Sequence, residues 1–208
     1  ALELGCAYAV VDEPQVIPAG DERFLLVPDA LKAMQDLAHE HREHFHKPVI
    51  EVTGTNGKTT TKELLTAVLS KKYKVLATEA NYNNHIGVPK TLLRLELDKH
   101  EIAVVETGAN HPGEIAQLAN IVDPDCGLIT NVGKAHLEGF GSFEGVIRTK
   151  GELYDYLRGK KDGFVFLHGD NEHLQKIVGS LKTVKYGAPG HADYSVQGEA
   201  LDCNPFLR

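Results

Sequence analysis

The chain has 208 residues, with 22 Lys and Arg against 29 Asp and Glu, and a formal net charge of -7. This acidic balance argues against nucleic acid or an anionic membrane as the main partner. No apolar run approaches the roughly 20 residues that cross a bilayer. The three cysteines, Cys6, Cys126 and Cys203, are far apart. They predict neither a disulfide framework nor a zinc site, and they favour the reducing cytoplasm as the location.

The first part of the chain reads as a short α/β segment. Its pattern predicts a helix end at 1–5, strands at 7–11 and 23–27, and a turn between them. About 30 residues cannot bury a core of their own. We therefore predict that residues 1–30 are the tail of a preceding domain, that 31–47 form a linker helix, and that 48–208 form a central domain that is incomplete.

From residue 48 onward, predicted strands alternate with predicted helices. The strands fall at 48–52, 73–78, 101–106, 127–132, 164–167 and 194–197. The helices fall at 59–71, from Pro112 onward, at 145–157 and at 171–178. The helix from Pro112 has a predicted buried face of Ile115, Leu118, Ala119 and Val122. This alternation predicts an α/β fold, a mostly parallel sheet with helices on both faces. In such sheets, ligands bind at the carboxyl ends of the strands.

A glycine-rich stretch between the strand at 48–52 and the following helix has the composition of a phosphate-binding loop. Its candidate nucleotide-binding residues are Gly54, Thr55, Asn56, Gly57, Lys58, Thr59 and Thr60. Glycines let backbone N–H groups approach phosphate, and the helix N-terminus favours the negative charge. Lys58 is predicted to reach the terminal phosphates, and the Thr59 hydroxyl to bind Mg²⁺. The spacing departs from G-x-x-x-x-G-K-[ST], because Val52 stands at the first glycine position.

Two further residues follow predicted strands and should lie at the same edge of the sheet. Glu106 ends the apolar run 102–105, and His136 lies just beyond the strand at 127–132. A carboxylate beside a bound nucleotide is a natural Mg²⁺ ligand. An ordinary surface carboxylate and one solvated histidine among eleven remain the alternatives at this point.

Lys150 stands out in the helix at 145–157. It keeps helical register with Val146, Leu153 and Leu157, so its stripe should face inward. A buried lysine is costly unless it is paired, neutralised or chemically modified. Periodicity leaves open whether Lys150 is a salt-bridged or snorkelling side chain or a functional amine near the phosphates.

Together these residues resemble the Mur ligase family of ATP-dependent peptide-bond-forming enzymes. Three stretches sharpen the resemblance: Asn-Tyr-Asn-Asn-His-Ile-Gly-Val-Pro at 81–89, Glu-Thr-Gly-Ala-Asn-His-Pro-Gly-Glu-Ile at 106–115 and Thr-Asn-Val-Gly-Lys-Ala-His-Leu-Glu-Gly-Phe-Gly-Ser at 130–142. The shortened loop G-x-x-G-K-T is this family's form. Within the family, the stretches look like the member that adds D-alanyl-D-alanine to UDP-N-acetylmuramoyl-tripeptide. The resemblance extends over residues 1–180.

The resemblance also implies roles for individual residues. Lys58, His136 and Lys150 would be catalytic, Thr59, Glu106 and His136 would hold Mg²⁺, and Asn83 and Asn84 would bind substrate. Several members carry a carbamylated lysine at the position of Lys150. Two departures stand against the pattern. Thr107 replaces a common methionine, and His-Gly-Asp-Asn at 168–171 replaces Asn-Ala-Asp-(Asn/Asp), where adenine is usually contacted.

The activity implied by the resemblance is an ATP- and Mg²⁺-dependent ligation through an acyl phosphate, giving ADP and phosphate. The family has three domains, so we expect the C-terminal domain to be absent, the chain alone to be inactive, and the protein to be a cytoplasmic monomer. The alternatives are a sibling ligase (one that adds diaminopimelate or lysine, a folylpolyglutamate synthase, or a fusion with an alanine racemase), a non-catalytic nucleotide-binding module, and a structural module with a vestigial loop.

Overall fold

The computed structural model describes residues 2–133 and 137–199, with the backbone alone for 137 and 138. The described strands are β1 (Ala9–Val11), β2 (Phe24–Leu26), β3 (Val49–Thr53), β4 (Val75–Ala77), β5 (Ile102–Glu106), β6 (Cys126–Ile129), β7 (Phe164–His168), β8 (Lys182–Gly187) and β9 (Val196–Gln197). The described α-helices are α1 (Ala30–Glu43), α2 (Lys58–Leu69), α3 (Gly87–Leu92), α4 (Glu114–Val122), α5 (Leu137–Phe140), α6 (Phe143–Gly159) and α7 (Glu172–Val178). No helix in these ranges is long and apolar enough to cross a membrane.

Seven of the strands form one sheet in the order β4-β5-β3-β6-β7-β8-β9, and every neighbouring pair is parallel. The predicted α/β fold with a parallel sheet is confirmed. The central strand β3 lies between β5 and β6. Strands β4 and β5 are added on one side of β3, and the later strands β6 to β9 are added on the other side. The loop after β3 therefore opens at the point where the strand order reverses, which is where ligands bind in such sheets.

Helices cover both faces of this sheet, as predicted. On one face, Leu65 and Leu69 of α2 pack against a cluster that contains Val52 and Val104. The other face packs against α1, α3, α4, α6 and α7 through two larger clusters. The apolar residues of α2 do not all face inward, because the Leu64 and Val68 side chains remain 63% and 70% exposed.

Helix α4 begins at Glu114, two residues after Pro112. All four residues of its predicted inward face are buried. Its N-cap is Gly113, which has no side chain to cap the helix. A carboxylate from α6 fills that role, because Glu152 accepts hydrogen bonds from Gly113 N (2.7 Å) and Ala116 N (2.9 Å). This contact fixes the start of α4 against α6.

Helix α1 is fastened to the sheet by Arg42, which is 4% exposed. Its guanidinium donates to the Val122 carbonyl at 3.1 Å, the Phe45 carbonyl at 2.7 Å and the Asp123 carbonyl at 2.6 Å. It also reaches Asp125 Oδ2 at 3.2 Å. A buried arginine needs such a full set of acceptors, since an unpaired buried charge is strongly destabilising. Upstream of α1, β1 and β2 pair in parallel as a separate two-stranded sheet.

Candidate functional site

The loop after β3 is shaped by two glycines in the left-handed region. Gly54 has φ 141°, and a Cβ there would lie 2.1 Å from Thr130 Oγ1. Gly57 has φ 77° and forms the N-cap of α2. Only glycine adopts these conformations without strain. Thr130 and Asn131, which follow β6, hold the loop from the side: Thr130 Oγ1 donates to Asn56 O at 2.6 Å, and Asn131 O accepts from Thr55 N at 3.0 Å.

Lys58 folds back over the loop from the first residue of α2. Its Nζ donates to the carbonyls of Gly54 (3.0 Å) and Thr55 (3.2 Å). Burial lowers the pKa of this amine, and the Glu106 carboxylate opposes that shift. The ammonium thus lies over the start of α2. A bound phosphate would replace the two carbonyls as its hydrogen-bond partner.

Glu106 lies beside the loop at the end of β5, and its side chain is buried. Its Oε1 accepts hydrogen bonds from Asn83 Nδ2 at 2.8 Å and Thr59 Oγ1 at 3.3 Å. Its Oε2 is buried and has no hydrogen-bond partner among the described residues. A buried carboxylate oxygen left in this state is costly, and a cation would satisfy it.

This corner fits Mg²⁺ by the chemistry of its donors. Glu106 and Thr59 supply oxygen atoms, and Mg²⁺ takes few protein ligands and completes its octahedron with phosphates and water. The described residues contain no cluster of three or more His, Cys, Asp or Glu side chains that could hold a metal by themselves. His136, predicted as a second ligand, lies outside the described residues.

The Lys150 amine lies near the same corner. Its side chain is 3% exposed and its Nζ lies 5.6 Å from the centre of the Phe140 ring. Burial, and then the nearby Lys58 ammonium, lower the pKa of Lys150 to about 8. Glu152 and then Glu114 oppose this shift.

A cavity of about 350 Å³ joins these parts. Its wall includes Lys58, Lys150, Asn83 and Asn84. Asn84 also has a local task, because its Oδ1 accepts from Gly87 N at 2.9 Å and so caps α3. Thr60, by contrast, is exposed on α2 and makes no side-chain hydrogen bond within the described ranges.

The two departures noted in the sequence have structural partners. Thr107 is fully buried, and its hydroxyl donates to Oε1 of the buried Glu51 at 2.7 Å. Gly169 lies against Tyr194, since a Cβ at this glycine would fall 2.3 Å from the ring Cζ. An alanine at position 169 therefore does not fit with Tyr194 in this place.

Some residues of the site were not found by sequence reasoning. The buried Lys62 of α2 is one, and its spacing of four residues from Lys58 was the available signal. Thr78 and Glu51 are others, and both are polar residues in or just after strands that otherwise read as apolar.

A parallel α/β sheet with this loop at its switch point defines a P-loop protein. The Mur ligase middle domain model matches residues 52–204. The chain therefore belongs to the Mur ligase family, as the resemblance implied.

Individual relatives agree with this assignment. Over 197 residues the chain is 41% identical to the UDP-N-acetylmuramoyl-tripeptide–D-alanyl-D-alanine ligase of Bacillus subtilis, covering 95% of this chain and 42% of that protein. The corresponding ligase of Synechocystis is 42% identical over 205 residues, covering 97% of this chain and 44% of that protein. The crystal structure of MurF ligase from Thermotoga maritima in complex with ADP superposes with a TM-score of 0.80 at 34% identity, covering 91% of this chain and 43% of that one. The chain thus spans less than half the length of these relatives.

Proposed function

We propose that the chain is the ATP-binding part of an ATP-dependent amide-bond ligase that adds D-alanyl-D-alanine to UDP-N-acetylmuramoyl-tripeptide. The observation that carries the proposal is the hydrogen-bonded pair Thr59 and Glu106 beside the phosphate-binding loop, whose Lys58 lines the same cavity as Lys150. The relatives named as this ligase support the choice of substrates. The separate two-stranded sheet of β1 and β2 supports residues 1–30 as part of a different domain, which in this proposal binds the UDP-linked substrate.

The reaction must first activate a carboxylate, because hydroxide is a poor leaving group. An oxygen of the tripeptide's terminal carboxylate attacks the γ-phosphorus of ATP, the bond to the bridging oxygen breaks, and ADP leaves. The amine of D-alanyl-D-alanine then attacks the acyl carbon and loses a proton, and phosphate departs. Phosphoryl transfer depends mainly on positioning and on neutralising charge.

In this scheme each residue of the corner has a defined task. Lys58 moves from the two loop carbonyls to the terminal phosphates, and the loop amides bind phosphate oxygens. Thr59 and Glu106 would hold Mg²⁺, which when bound neutralises charge on the phosphates. Asn83 orients Glu106, and Asn84 faces the same cavity as a candidate substrate contact. Lys150, neutral or carbamylated, lines the same cavity as Lys58 and would face the acyl phosphate there. We place the enzyme in the cytoplasm as a monomer.

The test is phosphate release from ATP by the full-length protein that contains this chain, with UDP-tripeptide present, with and without D-alanyl-D-alanine. Release that requires the dipeptide supports the proposal. Release that instead requires a single amino acid and a shorter UDP-peptide would make the protein a sibling ligase. Nucleotide binding without release under any pairing would make it a non-catalytic module. Lys58→Met should abolish release, and Lys71→Met, which removes an exposed lysine after α2, is the matched control.

A further inference from the structure

Lys62 is a buried lysine in the helix that follows the phosphate-binding loop. It lies one turn after Lys58 and is 1% exposed. Its Nζ donates to the Thr78 carbonyl at 2.8 Å and to Glu63 Oε1 at 2.5 Å. Burial of an ammonium group costs several kcal/mol before its partners repay it. An apolar side chain would fill this space at lower cost, so the bond to Thr78 calls for an explanation.

Thr78 connects Lys62 to the metal corner. It follows β4 directly and is 2% exposed. Its N donates to the Val104 carbonyl at 3.1 Å, which continues the pairing with β5. Its hydroxyl oxygen accepts a hydrogen bond from Glu106 N at 2.9 Å. Lys62 therefore binds the backbone carbonyl of Thr78, and the Thr78 hydroxyl in turn binds the backbone amide of Glu106.

The same anchor fixes the start of a strained turn. Two residues after Thr78, Ala80 has φ 47°, a left-handed conformation that costs a non-glycine residue about 1–2 kcal/mol. The turn leads to Asn83, whose Nδ2 donates to Glu106 Oε1 at 2.8 Å and whose carbonyl accepts from Gly108 N at 2.7 Å. Strained turns persist where neighbouring contacts determine them, and Lys62 supplies such a contact at the first residue.

We propose that Lys62 is a positioning residue for the metal corner. By holding Thr78 it fixes Glu106 through two links, one to its amide and one through Asn83 to its carboxylate. Glu106 then stays in register with the Thr59 hydroxyl for the Mg²⁺ of a bound nucleotide. This inference rests on the proposed binding of ATP and Mg²⁺.

The test is a titration of Mg²⁺ against a fluorescent ATP analogue bound to the full chain, with no turnover required. Lys62→Met removes the donor and keeps most of the volume, and Lys71→Met removes an exposed lysine as the matched control. We expect Lys62→Met to raise the Mg²⁺ concentration for half-saturation by about tenfold or more, the usual effect of losing an outer-shell partner. Nucleotide binding without Mg²⁺ should change little, and the melting temperature should fall by no more than the loss of one hydrogen bond to the Thr78 carbonyl implies.

A double-mutant cycle with Thr78→Val tests the route. If Lys62 acts through Thr78, the effects of the two substitutions on Mg²⁺ half-saturation should be less than additive. Full additivity, or an unchanged Mg²⁺ requirement in a folded Lys62→Met variant, would overturn the proposal. So would failure of both Lys62→Met and Lys62→Gln to fold, which would assign Lys62 to stability. If the unmodified chain binds the analogue without any response to Mg²⁺, it is the proposed function that fails, and the positioning role fails with it.

Discussion

The hydroxyl of Thr107 donates a 2.7 Å hydrogen bond to Oε1 of Glu51 inside the sheet, between the strand that ends at Glu106 and the strand that enters the phosphate-binding loop. Two more bonds join Thr107 to β3: its N donates to Val52 O at 2.9 Å, and its carbonyl accepts from Thr53 Oγ1 at 2.9 Å. The other Glu51 oxygen has no partner among the described residues. A methionine at position 107 could not donate to Glu51.

The first prediction concerns pH and Glu51. Burial raises the pKa of Glu51 from its ordinary 4.5 to about 8. Between pH 4.5 and about pH 8, Glu51 is protonated in the folded chain and ionised in the unfolded chain. The free energy of unfolding should therefore fall as pH rises, by about 1.4 kcal/mol per unit from this group. Urea denaturation across this range should show that slope, and Glu51→Gln should flatten it. An equal slope in the variant would contradict the assignment.

The second prediction concerns the hydroxyl of Thr107. Thr107→Val keeps the shape but leaves Glu51 without its donor, which should cost about 1–3 kcal/mol of unfolding free energy. Thr107→Ser keeps the hydroxyl and serves as the matched control. Chemical denaturation near neutral pH measures both. A valine variant as stable as the serine variant would show that the hydrogen bond contributes little.

The third prediction separates the two glycines of the loop. An alanine at Gly54 would collide with Thr130 Oγ1 in addition to adopting a strained φ, whereas an alanine at Gly57 meets open space and only the strain. Gly57→Ala should cost about 1–2 kcal/mol, and Gly54→Ala should cost more and weaken nucleotide binding more severely. Thermal denaturation and titration with a fluorescent ATP analogue give both quantities. The reverse order would mean that Thr130 moves aside freely.

The fourth prediction concerns modification of Lys150. With a pKa of about 8, much of this amine is neutral in mildly alkaline solution. The neutral nitrogen can attack carbon dioxide, form a C–N bond and release a proton, which leaves an anionic carbamate. Carbon NMR with labelled bicarbonate should show this carbamate above pH 8 and lose it in acid. Lys150→Arg should remove the signal and Lys71→Arg should not. A signal that survives Lys150→Arg would place the carbamate elsewhere.

Much of the fold follows from local pattern in the sequence. The strand at β3, the glycine turn and helix α2 are each signalled by adjacent residues, and the register of Lys150 with Val146 and Leu153 correctly predicted its burial. The apolar residues of α2 form two adjacent stripes at the same spacing, Leu65 with Leu69 and Leu64 with Val68, and only the first packs against the sheet.

Features that depend on distant contacts could not be read in this way. Strand β8 was not predicted, because Lys182 and Lys185 interrupt its apolar residues without a period of two and it is only partly buried. Helix α3 was missed because it is six residues long and contains glycine and proline. The requirement for Gly169 comes from Tyr194, 25 positions away in the chain.

The buried guanidinium of Arg42 joins parts of the chain that are far apart in sequence. Because it donates to the carbonyls of Val122 and Asp123, it ties the last turn of α1 to the end of α4. At the other end of the helix, Ala30 N donates to Asp12 Oδ2 at 3.0 Å. Helix α1 is therefore the bridge between the two sheets, bonded at its first residue to the segment after β1 and near its last residue to the seven-stranded sheet's helical layer.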